Sequence, residues 1–90
     1  AGAVSVTHGT PKHYNGNANT GAATVTFTAT TKHVQVENMD TSNDILVSFD
    51  SGSNWRTIQP GFILDIDCEI ASLDIKASAD ATPYEILTTE

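Results

Sequence analysis

The side chains able to do chemistry are few: one thiol (Cys68), three imidazoles (His8, His13, His33) and eleven carboxylates in 90 residues. Asp50 stands in the most patterned stretch, Ser48-Phe49-Asp50-Ser51-Gly52-Ser53-Asn54-Trp55. A carboxylate in such a turn accepts hydrogen bonds from backbone amides, the glycine two residues on admits a positive φ, and the tryptophan packs over the loop. Ser48, Asp50, Gly52 and Trp55 are therefore expected to build a structural hairpin. The histidines lack the pairwise spacing of a zinc site, and Cys68 falls in phase with Phe62, Leu64 and Ile66, which suits a buried thiol acting as a small hydrophobe. Asp65, Asp67 and Glu69 share a strand face that could attract Ca²⁺, but no carbonyl-rich loop with a suitably placed glycine surrounds them, so a solvated acidic face is expected. Trp55, Tyr14 and Tyr84 would make a sugar platform only by converging. No metal, cofactor or catalytic residue is expected.

Two local resemblances bear on Asp50. The pattern S-x-D-x-G-x-x-W resembles the Asp-box hairpin of sialidases and other β-propellers, where it recurs once per blade away from the catalytic site. Here it occurs once, in a chain too short for two four-stranded blades. Phe49-Asp50-Ser51-Gly52-Ser53 also resembles the hydrophobic-Asp-Ser/Thr-Gly signature of pepsin-like and retroviral aspartic proteases. That resemblance implies a homodimer in which two Asp50 carboxyls share a proton. The glycine-rich flap and the later supporting segment of that family are missing, so a homodimeric protease is kept only as an outlying alternative.

These residues need elements to hold them, and the alternation of the chain supplies strands. From residue 22 onward the apolar period is two, with no convincing helical stripe. Val25, Phe27 and Ala29 share a face, as do Val34 and Val36, then Ile45, Val47 and Phe49. Phe62, Leu64, Ile66 and Cys68 form a further set, with Leu73 and Ile75 inward after them and Tyr84 to Thr88 closing the series. Pro60-Gly61 fits the middle of a type II turn. The expectation is all-β, a small antiparallel β-sandwich or barrel of six to seven strands with an extended N-terminal arm. Residues 1–21 are read as the arm, because glycine and asparagine dominate it, and residues 22–90 as the β-sandwich body. Within the arm, Ala3-Val4-Ser5-Val6-Thr7 alternates like a strand that could pair with a neighbour, and Ala3, Val4, Val6 and Tyr14 are its expected partner-binding residues.

Charge divides the chain in the same way. The net charge is −7, yet all eleven acids lie between Glu37 and Glu90, and Lys12 is the one formal charge before Lys32. Four scattered cations give no footprint for nucleic acid, and no run approaches the roughly eighteen apolar residues of a membrane-spanning helix. The first residues have neither a basic nor an apolar signal region, so a soluble chain without its own secretion signal is expected. One cysteine excludes an intrachain disulfide.

From about Thr31 to Thr88 the chain resembles small structural proteins of tailed bacteriophages. The resemblance is carried by Val34-Gln35-Val36-Glu37-Asn38, by Asp44 through Trp55, by the Pro60-Gly61 turn, and by Ile75-Lys76-Ala77-Ser78-Ala79 leading to Tyr84-Glu85-Ile86-Leu87. It implies a virion protein, first of all a capsid decoration or cement protein made in the host cytoplasm and bound to the outer head surface. The major capsid protein is then the expected partner, together with self-association as a dimer or trimer that would cover strand edges. A neck, tail or fibre-attachment protein is the alternative placement.

Overall fold

The computed structural model describes residues 9–90. Among them there is no helix, and eight strands follow in order: β1 (Pro11–Ala18), β2 (Ala23–Thr26), β3 (His33–Asn38), β4 (Ile45–Ser48), β5 (Arg56–Ile58), β6 (Ile63–Ile66), β7 (Ser72–Ala77) and β8 (Thr82–Thr89). They make two antiparallel four-stranded sheets, a first sheet ordered β1-β8-β3-β6 and a second ordered β2-β7-β4-β5. The pairing has a simple rule: β1 with β8, β2 with β7, β3 with β6, β4 with β5. The chain is thus one long hairpin with its tip at β4–β5, rolled so that successive strand pairs fall in alternate sheets. The β3–β8 and β4–β7 ladders complete the roll. This is jelly-roll topology, in which every connection except β4–β5 crosses from one sheet to the other.

The alternation expected from the sequence builds the core. Val34, Val36 and Ile86 of the first sheet meet Ile45, Val47, Ile58, Leu73, Ile75 and Ala77 of the second, with Phe27 beside them. Strands β3 and β7 alternate buried and half-buried positions almost without fault, as a period of two requires when one face is covered. Ala29 departs from its expected inward place. The chain leaves β2 after Thr26, the Phe27 amide bonds the Ala71 carbonyl, and Ala29 is exposed, its amide donating to Glu90.

The strand count also differs from the expected six to seven, because Pro11–Ala18 of the expected arm is β1, paired along its whole length with β8. Its glycine and asparagine content concealed it. Tyr14, Gly16 and Ala18 take the inward positions, and Gly16 is opposite Tyr84, whose ring lies where a side chain would otherwise be: an added Cβ would sit 3.1 Å from the Tyr84 hydroxyl. The cross-strand aromatic supplies the apolar cover that the glycine lacks.

Tyr14 closes the seam between β1 and β2. Its ring meets Phe27 edge-on at 5.1 Å, its hydroxyl donates to the Glu90 carboxylate at 2.7 Å, and it accepts from the Thr28 amide at 2.9 Å. Desolvation opposes ionisation of Glu90, but hydrogen bonds from Thr88, Tyr14 and Ala29 outweigh it and hold this carboxyl below its ordinary value.

Buried polar side chains pin both ends of β3. At its start, the Thr31 hydroxyl donates to the Cys68 carbonyl at 2.7 Å and accepts from the Ile70 amide at 3.1 Å. At its end, the wholly buried Asn38 amide nitrogen donates to the carbonyls of Asn43 (2.8 Å) and Ile58 (2.9 Å), while its oxygen accepts from the Asp40 amide at 2.9 Å. Replacing Asn38 by leucine leaves the buried Ile58 carbonyl without its partner and removes the two part-buried bonds to Asn43 and Asp40. Asn38→Leu is expected to lower the unfolding free energy by about 2–4 kcal/mol, since each orphaned buried group costs about 1–3 kcal/mol. Urea denaturation with an unchanged slope checks this.

Candidate functional site

The β4–β5 hairpin forms as its sequence pattern requires. Ile45, Leu46 and Val47 pair with Ile58, Thr57 and Arg56, and residues 49–55 make the loop. Asp50 accepts from the Ser48 hydroxyl (2.8 Å), the Asn54 amide (2.9 Å) and the Asn54 side chain (2.7 Å), while the Gly52 amide donates to Ser48 Oγ at 2.8 Å. Ser51 and Gly52 both take positive φ, 58° and 88°, so the loop needs the glycine. Trp55 lies half-buried over Gly52, and the Lys76 ammonium stands 4.2 Å from its ring centroid. The Asn54 side chain, the Asn54 amide and the Ser48 hydroxyl hold the Asp50 carboxyl below its ordinary 3.8. Within the single chain this carboxylate braces the turn.

The three aromatic side chains considered for a sugar platform each have a different neighbour. Trp55 carries Lys76, Tyr14 holds Phe27 and Glu90, and Tyr84 covers Gly16. Of the expected partner-binding residues, Ala3, Val4 and Val6 lie outside the described residues. Tyr14 is engaged within the seam just described. Cys68 is half-buried against the core, and burial pushes its thiol up.

The acidic face of β6 has a partner that the sequence reading missed. His33 begins β3, and its two ring nitrogens bond Asp65 and Asp67. The register explains it, since Gln35 is paired with Asp65 and Val34 with Ile66, which brings His33 beside both carboxylates on the solvent side. With both nitrogens committed, His33 clamps the two carboxylates; among the described residues no group of three His, Cys, Asp or Glu side chains is placed to hold a metal ion.

The most unusual surface lies beside this clamp. The first sheet ends at β6 and the second at β5, and the two edges are joined by the turn Gln59-Pro60-Gly61-Phe62, with Gly61 at φ 77° and the Phe62 amide bonded to the Gln59 carbonyl at 3.0 Å. Leu64 and Ile66 pair with the fully buried Val36 and Val34, so they face the core side as expected. Cover is incomplete: Leu64 is half-buried against the core, but Phe62 is 61% exposed and Ile66 39%. On the solvent side Ile63, opposite Glu37, is 49% exposed, and Met39, just past β3, is 44% exposed. These four are the large apolar side chains left exposed among the described residues: Phe62 and Ile66 on the core side of the β6 edge, Ile63 and Met39 on the solvent side of the same sheet. A groove at the β6 edge is lined by Phe49, Arg56, Leu64, Asp65 and Ile66.

No family model matches the chain, and no curated protein matches it.

Hydrogen bonds from His33 to Asp67 and Asp65, with their charges, outweigh desolvation and raise its pKa above 6.5. The clamp therefore stabilises the fold fully below 6.5 and loses its contribution as pH rises through the higher native value. The thermal midpoint is expected to fall across that window, the more so at low salt, and His33→Gln to remove that part of the slope. Thermal scans at fixed ionic strength check it.

Proposed function

We propose that the chain is a non-catalytic structural module of a virion: a capsid decoration protein that binds the outer head surface and stabilises contacts between capsid subunits. One observation carries this reading. Large apolar side chains stay exposed on both faces of the first sheet of a small acidic body, Phe62 and Ile66 on the core side of β6 and Ile63 and Met39 on the solvent side, and such exposure supports a protein that works by attachment. The jelly-roll topology is in keeping with it, because capsid domains are among the users of that architecture, although lectins and cupins share it. The phage resemblance of residues 31–88 supplies the setting.

In this reading the major capsid protein and further copies of the chain are the partners. Met39 and Ile63, on the solvent side of the first sheet, touch the head. Glu37 and Glu85 lie on that same face and border the contact, while acids on other surfaces keep the particle surface soluble. Each contact is weak, and repetition over a lattice makes the layer hold.

The test is binding to undecorated heads by co-sedimentation, with copy number from mass spectrometry of purified particles. Met39→Ser combined with Ile63→Ser is expected to weaken head binding about tenfold or more, equivalent to roughly 1.4 kcal/mol, with the thermal midpoint nearly unchanged. Copies in the hundreds support a head lattice. Occupancy unaffected by the double variant, or a copy number of about six or twelve set by a symmetric neck, overturns the decoration role.

A further inference from the structure

We infer that the core-side strip of β6 is an acceptor for a second copy of this chain, and that the donated segment is Ala3-Val4-Ser5-Val6-Thr7 of that copy, added as a fifth strand to the first sheet. The inference deepens the attachment reading by naming one occupant of the β6 edge. It leaves Met39 and Ile63 free on the other side of the same sheet.

Of the four edge strands, β6 is the one left open to an added strand. At β1, Pro11 has no amide to donate, and Lys12, opposite the buried Thr88, places a cation in the inward phase. At β5 only three residues pair, and Arg56, opposite the buried Val47, repeats that device. Beside β2 the seam is closed by Tyr14, Phe27 and Glu90. β6 pairs with β3 alone; Leu64 packs against the core, while Phe62 and Ile66, on the same side, stay 61% and 39% exposed, Ile66 beside a groove that Arg56 of β5 only partly fills.

The donor fits by pattern, by charge and by length. Val4 and Val6 alternate with Ala3, Ser5 and Thr7, so a strand laid on β6 turns both valines inward, extending the rows Val34–Ile66 and Val36–Leu64. Residues 3–7 carry no charge, so this segment approaches an acidic body without like-charge repulsion.

Length rules out the chain's own segment. Thr10 is already paired with Glu90, beside β1. A strand added beyond β6 lies four strand spacings from β1, about 19 Å at about 4.8 Å each. From Thr7 to Thr10 there are three residue steps, which span at most about 11 Å. The segment therefore reaches this edge only in another copy. One donor and one acceptor per chain close into a dimer or a small ring.

Sedimentation equilibrium of the purified protein, with no heads present, tests this independently of capsid binding. The full chain is expected to be oligomeric at tens of micromolar, and a chain lacking residues 1–8 to be monomeric. Ile66→Lys is also expected to be monomeric, with Ile66→Ser as the milder substitute should lysine disturb the fold; circular dichroism confirms that each variant is folded. A synthetic peptide of residues 1–9 added to the truncated chain is expected to shift the amide resonances of Leu64 and Ile66. A monomeric full chain, or a truncated chain that associates as the full one does, overturns the proposal. A full chain that self-associates but does not bind undecorated heads would count against the decoration role alone.

Discussion

The carboxamide of Asn38 is fully buried and has all its hydrogen bonds within the protein, and the placing of the two sheets depends on it. Through the Ile58 carbonyl it holds the end of β5 in the second sheet, while its own backbone holds the start of β6 in the first: its amide bonds the Phe62 carbonyl at 3.0 Å, and its carbonyl takes the Gly61 amide at 3.1 Å. The type II turn between β5 and β6 is therefore fixed from both sides. An apolar residue of the same size would fill the space, but it would leave the crossover carbonyls without partners. Thr31 does the same work at the opposite end of β3, tying the entry of that strand to the β6–β7 crossing. With both ends of β3 secured, the crossings on either side of it are fixed to the first sheet.

That constraint produces an asymmetry between the two seams of the sandwich. At the β1–β2 seam, Tyr14, Phe27, Thr28, Ala29 and Glu90 form a continuous hydrogen-bonded and aromatic closure. At the β5–β6 seam the turn joins the sheets at one end only. β5 is three residues long, so the inner side of β6 passes beyond its cover, and the His33 clamp steadies that edge from the solvent side without covering it. An edge that is apolar, short and held rigid from behind is ready to receive a strand, and the ordinary guards against such pairing stand on β1 and β5 instead.

Much of the fold was legible in the sequence because alternation reports burial directly. Val34, Val36, Ile45, Val47, Leu73 and Ile75 are all core residues at the phase expected of them. The Asp50 hairpin was legible for a different reason, since its hydrogen bonds join residues within four positions of one another. β1 was not, because its strand character comes from eight residues of pairing to β8 and from the Tyr84 ring above Gly16, neither of which is local. The exposure of Phe62 and Ile66 was hidden for a related reason: period two tells which side a residue faces, but not whether another sheet covers that side. His33 was legible only after the β3–β6 register was known.

The division of charge acquires a physical meaning from this geometry. Every carboxylate lies from Glu37 onward, so two bodies approaching each other repel, most strongly at low ionic strength. A contact between copies made body to body would have to overcome that repulsion at each acidic face. A contact made by an uncharged segment inserted at an apolar edge brings the bodies no closer than the strand requires, and the cation nearest the groove, Arg56, already belongs to the acceptor. The acidic body therefore disfavours indiscriminate aggregation while leaving the proposed strand exchange open, which is the balance that the proposed attachment role requires.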